Sequence, residues 1–395
     1  MELKEVQEVL REEQNDLTST GAIIAYGIDH FGLTLEEITD YASRTGLTGA
    51  SVIEILTDAE RKGQSIEETK NSLKEYVEKT EAKTIEEERQ QLQKESAAGY
   101  LQEFVDGIAA SMNSPVIRSG FPTLDQVLDG GLYSGLYVVG AITSLGKTTL
   151  IMQMADQIAA QGNDVIIFAM EMPKEDLISK SVSRLTMLKA GMDNAKTARG
   201  ITDGSRYKNY SEQERQLIKS AIKEYGTYAE HIFIYEGIGD IGVNQIREAV
   251  ERHTRILGNI PVVVVDYVQI LAPYDIKASD KQNIDKAVLE LKRISRDFKS
   301  PVIAISSFNR AGYKTKADFS GFKESGSLEY GSDVVIGLDL AGIGEADFDP
   351  TEAKSKDPRE IEAVILKNRN GRTGDRIKYQ YYPRFNYFKE ADRCR

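Results

Sequence analysis

Leu136-Tyr-Val-Val-Gly-Ala141-Ile-Thr-Ser-Leu-Gly146-Lys147-Thr148-Thr149-Leu150 is the stretch that decides the fold. A short apolar run gives way to a glycine-bearing turn. A helical pattern follows, in which Leu150, Ile151, Met154 and Ile158 share one face. Buried strand, tight turn and helix opening on Lys-Thr-Thr is the context a phosphate-binding loop requires. Successive backbone N–H groups and the helix N-terminus surround anionic oxygens there. Lys147 would reach the β- and γ-phosphates as a point charge, and the Thr148 hydroxyl would take one position on Mg2+. Ser144, Gly146 and Thr149 complete the expected cradle, and Ala141 stands where the motif usually has its first glycine.

Working outward, Pro261-Val-Val-Val-Val-Asp266-Tyr267 is a second apolar strand ending in a carboxylate. It places Asp266 at the C-terminal edge of a sheet beside the phosphate loop, where it would hold Mg2+ through water. Gln269 follows on the same edge. Between these segments, Phe168-Ala-Met170-Glu171-Met172-Pro173 puts Glu171 at the end of another strand, with Pro173 turning the chain. A carboxylate there either orients the attacking water or is a helix N-terminal acid favoured by the dipole, and position alone does not separate the two.

Further short β-branched runs, Ile232 to Tyr235, Val302 to Ser306 and Val334 to Leu338, alternate with helical stretches. Near-continuous apolar strands between helices predict a parallel sheet covered on both faces, an α/β fold of the P-loop type. Ile361 to Leu366, Ile377 to Tyr382 and Phe385 to Phe388 predict a C-terminal antiparallel extension, with Asn370-Gly371 at one turn. This domain is expected over residues 115–395. Residues 1–80 read as a small all-α module, with helix starts at Thr34, Thr48 and Ser65 and a capping box between Ser65 and Glu68. One amphipathic linker helix is expected over 82–112, within residues 81–114. Its Ile85, Leu92, Leu101, Phe104, Val105 and Ile108 recur near the helical period.

The chain is 395 residues with a net charge of -12, and the acidity is local. Residues 1–110 hold 24 acidic and 11 basic side chains, and the remainder is close to neutral. Overall charge therefore neither excludes nor supports nucleic-acid binding by a few local cations. The first module reads as a docking or oligomerisation unit, or as a helix-turn-helix-like reader against which its acidity argues. One cysteine and three scattered histidines exclude a disulfide framework and a structural zinc site. No apolar run approaches a membrane span and the first residues are charged, so a cytoplasmic protein without membrane contact is expected.

Taken together, these segments resemble, in order, the motor domain of DnaB-type replicative helicases within the RecA-like ATPases, from about Gly120 to Phe388. Gly120-Phe-Pro-Thr-Leu-Asp resembles the family's entry motif. Ala141 to Thr149 resembles its phosphate loop, where alanine at the first position is familiar. Phe168 to Pro173 resembles the segment carrying the catalytic glutamate, which maps to Glu171, and Asp266-Tyr-Val-Gln269-Ile-Leu resembles the Mg2+ strand. Ser306-Ser-Phe-Asn309-Arg310 resembles a motif whose glutamine sensor is here Ser307. Phe322-Lys323-Glu324-Ser325-Gly326 resembles the pore loop that contacts single-stranded DNA, with Lys323 in place of the usual arginine. Lys367-Asn-Arg369-Asn-Gly371 resembles the finger that reaches a neighbouring subunit's γ-phosphate.

The resemblance implies an ATP-hydrolysing DNA helicase or translocase in DNA replication, assembled as a hexameric ring, with ATP and Mg2+ at subunit interfaces. Glu171, Lys147, Arg369 and Lys367 would do the chemistry. Arg310, Lys323, Glu324 and Gly326 would contact the single strand. The linker helix lies where the family's subunit-swapping linker lies, which favours docking on the neighbour. The N-terminal module would serve a helicase loader or another replication partner. The family's larger collar domain, which binds primase, finds no match in residues 1–80, and primase binding is not carried over. The alternative is a RecA-like, DNA-dependent ATPase of recombination or repair that does not unwind.

Overall fold

The computed structural model describes residues 18–111, 116–307, 317–319, 325–345 and 347–391. The chain divides into two compact units, Met1–Ser114 and Pro115–Arg395. In the first, helices run Thr18–Phe31, Leu35–Thr45, Gly49–Arg61, Ile66–Glu95 and Ala97–Ser111. Thr34 and Ser65 close capping boxes with Glu37 and Glu68, and Thr48 accepts from the Ser51 N–H, so each expected helix start is in place. Phe31, Ile38, Ile53, Leu56, Leu73 and Val77 are buried in this unit's own core.

The linker expected as one helix from Ala82 is two helices, and the first begins much earlier. Ser65 starts it, and nothing interrupts it at residue 80. It ends at Ser96, whose backbone is extended (φ -70°, ψ 157°) and whose Oγ accepts the Gly99 N–H at 3.1 Å, the role of a serine opening a new helix. On helix Ala97–Ser111, Leu101, Phe104, Val105 and Ile108 are all exposed.

In the second unit, nine strands form one mixed sheet: β1 (Gly135–Ala141), β2 (Val165–Ala169), β3 (Ile232–Glu236), β4 (Val262–Asp266), β5 (Pro301–Ser307), β6 (Val334–Leu340), β7 (Arg359–Asn368), β8 (Arg376–Tyr382) and β9 (Tyr387–Glu390). The order is β3-β2-β4-β5-β1-β6-β7-β8-β9. The first six are parallel, and β7, β8 and β9 pair antiparallel along the edge of β6. Every residue of β1, β2 and β4 is buried, which is why these strands read as unbroken apolar runs. The antiparallel extension is thus part of the main sheet. It inverts the chain direction, so residues near the end of β7 return to the edge where β1 begins.

Among the described residues, no helix is long and apolar enough to cross a membrane.

Candidate nucleotide site

β1, β2, β4 and β5 all point their C-terminal ends at one edge of the sheet, and that edge gathers the chemistry. Ala141 is the last residue of β1 and fully buried. It is still in extended strand, which any residue adopts, so the motif's missing first glycine costs nothing. The demanding positions come later. Ser144 has φ 70° and Gly146 φ 87°, left-handed backbone that turns the N–H groups inward ahead of helix Lys147–Ala159.

Gly146 also has no room for a side chain. A Cβ there would lie 2.9 Å from the rings of Tyr381 and Phe388, which stack on each other at 4.2 Å. Gly146→Ala is therefore expected to weaken nucleotide binding at least about tenfold, from roughly 1–2 kcal/mol of backbone strain plus displacement of the two rings. Titration of the full chain with a fluorescent ATP analogue checks this, and Ala141→Gly should bind as the parent does.

Lys147 reaches back over the loop, its Nζ donating to the Ala141 carbonyl at 2.9 Å. Burial lowers its pKa, and the carboxylates of Asp266 and Glu171 oppose that shift. Asp266 ends β4 beside Ala169 at the end of β2. Burial pushes its carboxyl up to about 6 and the charge of Glu171 adds to this, while the Thr148 hydroxyl, Lys147 and Lys180 draw it down. One of its oxygens, Oδ1, is buried with no hydrogen-bond partner. An orphaned carboxylate oxygen next to a threonine hydroxyl fits a hard cation, so Thr148 and Asp266 are the residues that would hold Mg2+. Among the described residues no cluster of three or more His, Cys, Asp or Glu could chelate a metal by itself.

Glu171 lies two residues beyond β2 and is exposed. The following helix starts at Lys174, with Glu175 and Asp176 in its first turn and Glu236 accepting its first N–H at 3.1 Å. Glu171 is therefore outside that helix, two residues before its N-cap Pro173. Gln269 donates to Ser306 Oγ at 2.8 Å, tying the segment after Asp266 to the end of β5. There Ser307 pairs with Ala141. The expected site residues Ala141, Ser144, Gly146, Lys147, Thr148, Thr149, Glu171, Asp266 and Gln269 thus belong to one edge.

Two contributors were not read from the sequence. Lys180 feels Asp266 and Glu171, and burial lowers its pKa. The signal was a lysine between Leu177 and Arg184 on the buried face of its helix. Arg359, at the start of β7, donates to the Ser144 carbonyl at 2.7 Å and lies 5.7 Å from the Tyr381 ring centre. It comes from more than two hundred residues away, so no local spacing announces it.

Lys367 and Arg369 are on the other edge. Asn368 pairs with Val334 at the start of β6, and the Asp333 side chain accepts the Leu136 N–H at the start of β1. Seven residues of β1 separate this edge from the phosphate loop, roughly 20 Å at about 3.3 Å per residue. Neither cation can serve its own chain's loop. Arg310, Lys323 and Glu324 lie outside the described residues, and Gly326 is exposed in helix Ser325–Gly331.

The family model described as DnaB-like helicase C terminal domain matches residues 116–390. Among curated relatives, the chain is 28% identical over 280 residues to the replicative DNA helicase DnaB of Haemophilus influenzae, 69% of this chain and 54% of the relative. It is 27% identical over 283 residues to the replicative DNA helicase DnaC of Bacillus subtilis, 70% of this chain and 57% of the relative. The chain thus spans little more than half the length of these relatives. Among solved structures, one described as an ATPase domain superposes with a TM-score of 0.63 at 23% identity, covering 75% of this chain and 99% of that one. A DnaB-like replicative helicase, described with its interactions with primase, gives 0.62 at 20% identity over 93% of this chain and 91% of that one. The second likeness of fold extends into the helical unit.

Proposed function

The chain belongs to the DnaB-like helicase family through its C-terminal domain, and on that premise we propose that it is an ATP-driven, ring-forming DNA helicase of replication. The observation that carries the reading is the split of its catalytic set between two edges of one sheet. Lys147, Thr148, Asp266 and Glu171 form one half of a site; Lys367 and Arg369 form the other half of a neighbour's site.

Within this reading, the loop amides and Lys147 hold the β- and γ-phosphates, and Glu171 accepts a proton from the water that it orients at the γ-phosphorus. Thr148 and Asp266 are the residues that would hold Mg2+, which would supply charge neutralisation to the bound phosphates. Arg369 and Lys367 of the adjacent subunit add positive charge where it builds up in the transition state. Hydrolysis around the ring then moves the segments bearing Arg310, Lys323, Glu324 and Gly326 along the backbone of one strand, without reading bases. The acidic helical unit serves a loader or another replication partner.

The exposed stripe on helix Ala97–Ser111 supports docking on the next subunit, since contiguous apolar surface of this kind marks an interaction face. Leu101→Glu together with Phe104→Glu is expected to dissociate the assembly while the ATPase unit stays folded. Mass measurement with ATP, beside a melting curve, checks it.

The direct test of function is unwinding of a forked duplex by the full chain with ATP and Mg2+. Strand displacement that disappears in Lys147→Ala is the expected result. ATPase stimulated by single-stranded DNA with no displacement under any condition would overturn the helicase reading.

A further inference from the structure

Asp333 sits between β6 and the finger, and its contacts are unevenly shared. Its Oδ2 accepts both the Leu136 N–H, at 2.7 Å, and the Lys292 ammonium. Its Oδ1 faces the Arg369 guanidinium, at 3.4 Å. The Arg369 backbone N–H is bound to the Asp333 carbonyl at 2.9 Å. Lys292 comes from helix Asp280–Phe298. That helix lies close against helix Ser325–Gly331: a Cβ on Gly331 would be 2.7 Å from Val288. Lys367 is anchored on the same short helix, donating to the Glu329 carbonyl. The charges of Asp333, Lys292, Arg369, Lys367 and Glu329 thus meet at this edge; burial together with the Arg369 charge lowers the Lys367 pKa, and the carboxylates of Asp333 and Glu329 oppose that shift.

The asymmetry has an electrostatic consequence. Asp333 is only 13% exposed and its charge is already balanced by Lys292, whereas the Arg369 side chain is 55% exposed. A carboxylate with a committed partner holds a second cation loosely, at a distance where exchange for a phosphate is cheap. Without Lys292, Arg369 would be the cation directly facing the Asp333 carboxylate, with Lys367 further off, and Asp333 would retain it. We propose that Lys292 and Asp333 are a positioning pair for the trans-acting finger. Asp333 aims Arg369 at the neighbour, and Lys292 neutralises Asp333 so that the guanidinium can leave it for the γ-phosphate. This rests on the composite-site reading of the previous subsection.

The test uses mixed assemblies of the full chain. Lys292→Met is expected to lower ATP turnover about tenfold, within the range that slight misplacement of a catalytic group costs, with KM changed less than about threefold because its own phosphate loop is untouched. Its defect should be cured by a neighbour. Mixed 1:1 with Lys147→Ala, which cannot bind nucleotide but keeps an intact finger, turnover should rise to about a quarter of the parent's if interfaces are independent. A general folding defect in Lys292→Met would damage its own loop and would not be cured this way.

Asp333→Asn, which keeps an acceptor for the Leu136 N–H, is the second variant should Lys292→Met melt early, and it should behave alike. Arg369→Ala mixed with Lys147→Ala is the control. If that mixture stays inactive, the composite-site reading fails and the inference falls with it. If the control recovers and neither positioning variant does, the inference alone is overturned.

Discussion

Replacing Arg369 by alanine is expected to lower steady-state ATP turnover by about a thousandfold or more, the scale at which trans-supplied arginines act. Nucleotide binding should stay within about threefold, because the residue lies roughly 20 Å along β1 from the loop of its own chain. The reasoning is geometric. β7 runs antiparallel to β6, so the chain that leaves the phosphate-loop edge at Arg359 arrives at the opposite edge with Lys367 and Arg369. On the proposed composite site, the two ends of one strand would serve two different nucleotides. Arg359→Ala should give the converse pattern, weaker binding in the same subunit, because its guanidinium holds the Ser144 carbonyl. Single-turnover kinetics with analogue titration on both variants separates the two effects.

Glu171→Gln is expected to cost about a thousandfold in turnover, in the range of a lost general base, with ATP still bound. Its neighbourhood makes the prediction sharper. The charge of Glu171 helps to raise the Asp266 carboxyl to about 6. Neutralising Glu171 removes that repulsion, so Asp266 ionises more readily and Mg2+-dependent nucleotide binding holds or tightens. A variant that binds tightly and does not hydrolyse should accumulate as the assembled, ATP-loaded form. Mass measurement with ATP and a phosphate-release assay test both halves. If ATPase and strand separation persist in Glu171→Gln, the assignment of the base is wrong.

Much of this was legible in the sequence because the central strands are buried on both faces. Val262 to Val265 and Val165 to Ala169 have to be uniformly apolar, so Asp266 could be placed at the end of its strand, while Glu171, expected at a strand end, lies two residues beyond β2. The phosphate loop announces itself through local conformation at Gly146 and local charge at Lys147. Arg359 and Lys180 were not legible. Their importance comes from where a distant strand and a long helix pack, and burial of a charged side chain leaves only a weak imprint on spacing. The Asp333–Lys292 pair is similar, since an acid before a strand and a lysine on a helix mean little until the fold joins them. The linker was misjudged for another reason. Helical periodicity continues through residue 80 and across Ser96, and only the serine's extended backbone and its bond to Gly99 show that one helix ends and another begins.

The central claim is that a single protomer owns only half of a working site. Its most direct test is the ATPase rate per protomer of the full chain, measured on dilution with the mass distribution followed alongside. Turnover should fall in step with loss of assemblies and nearly vanish in the monomer. A monomer that hydrolyses ATP at the undiluted rate, unaffected by Arg369→Ala, would contradict it.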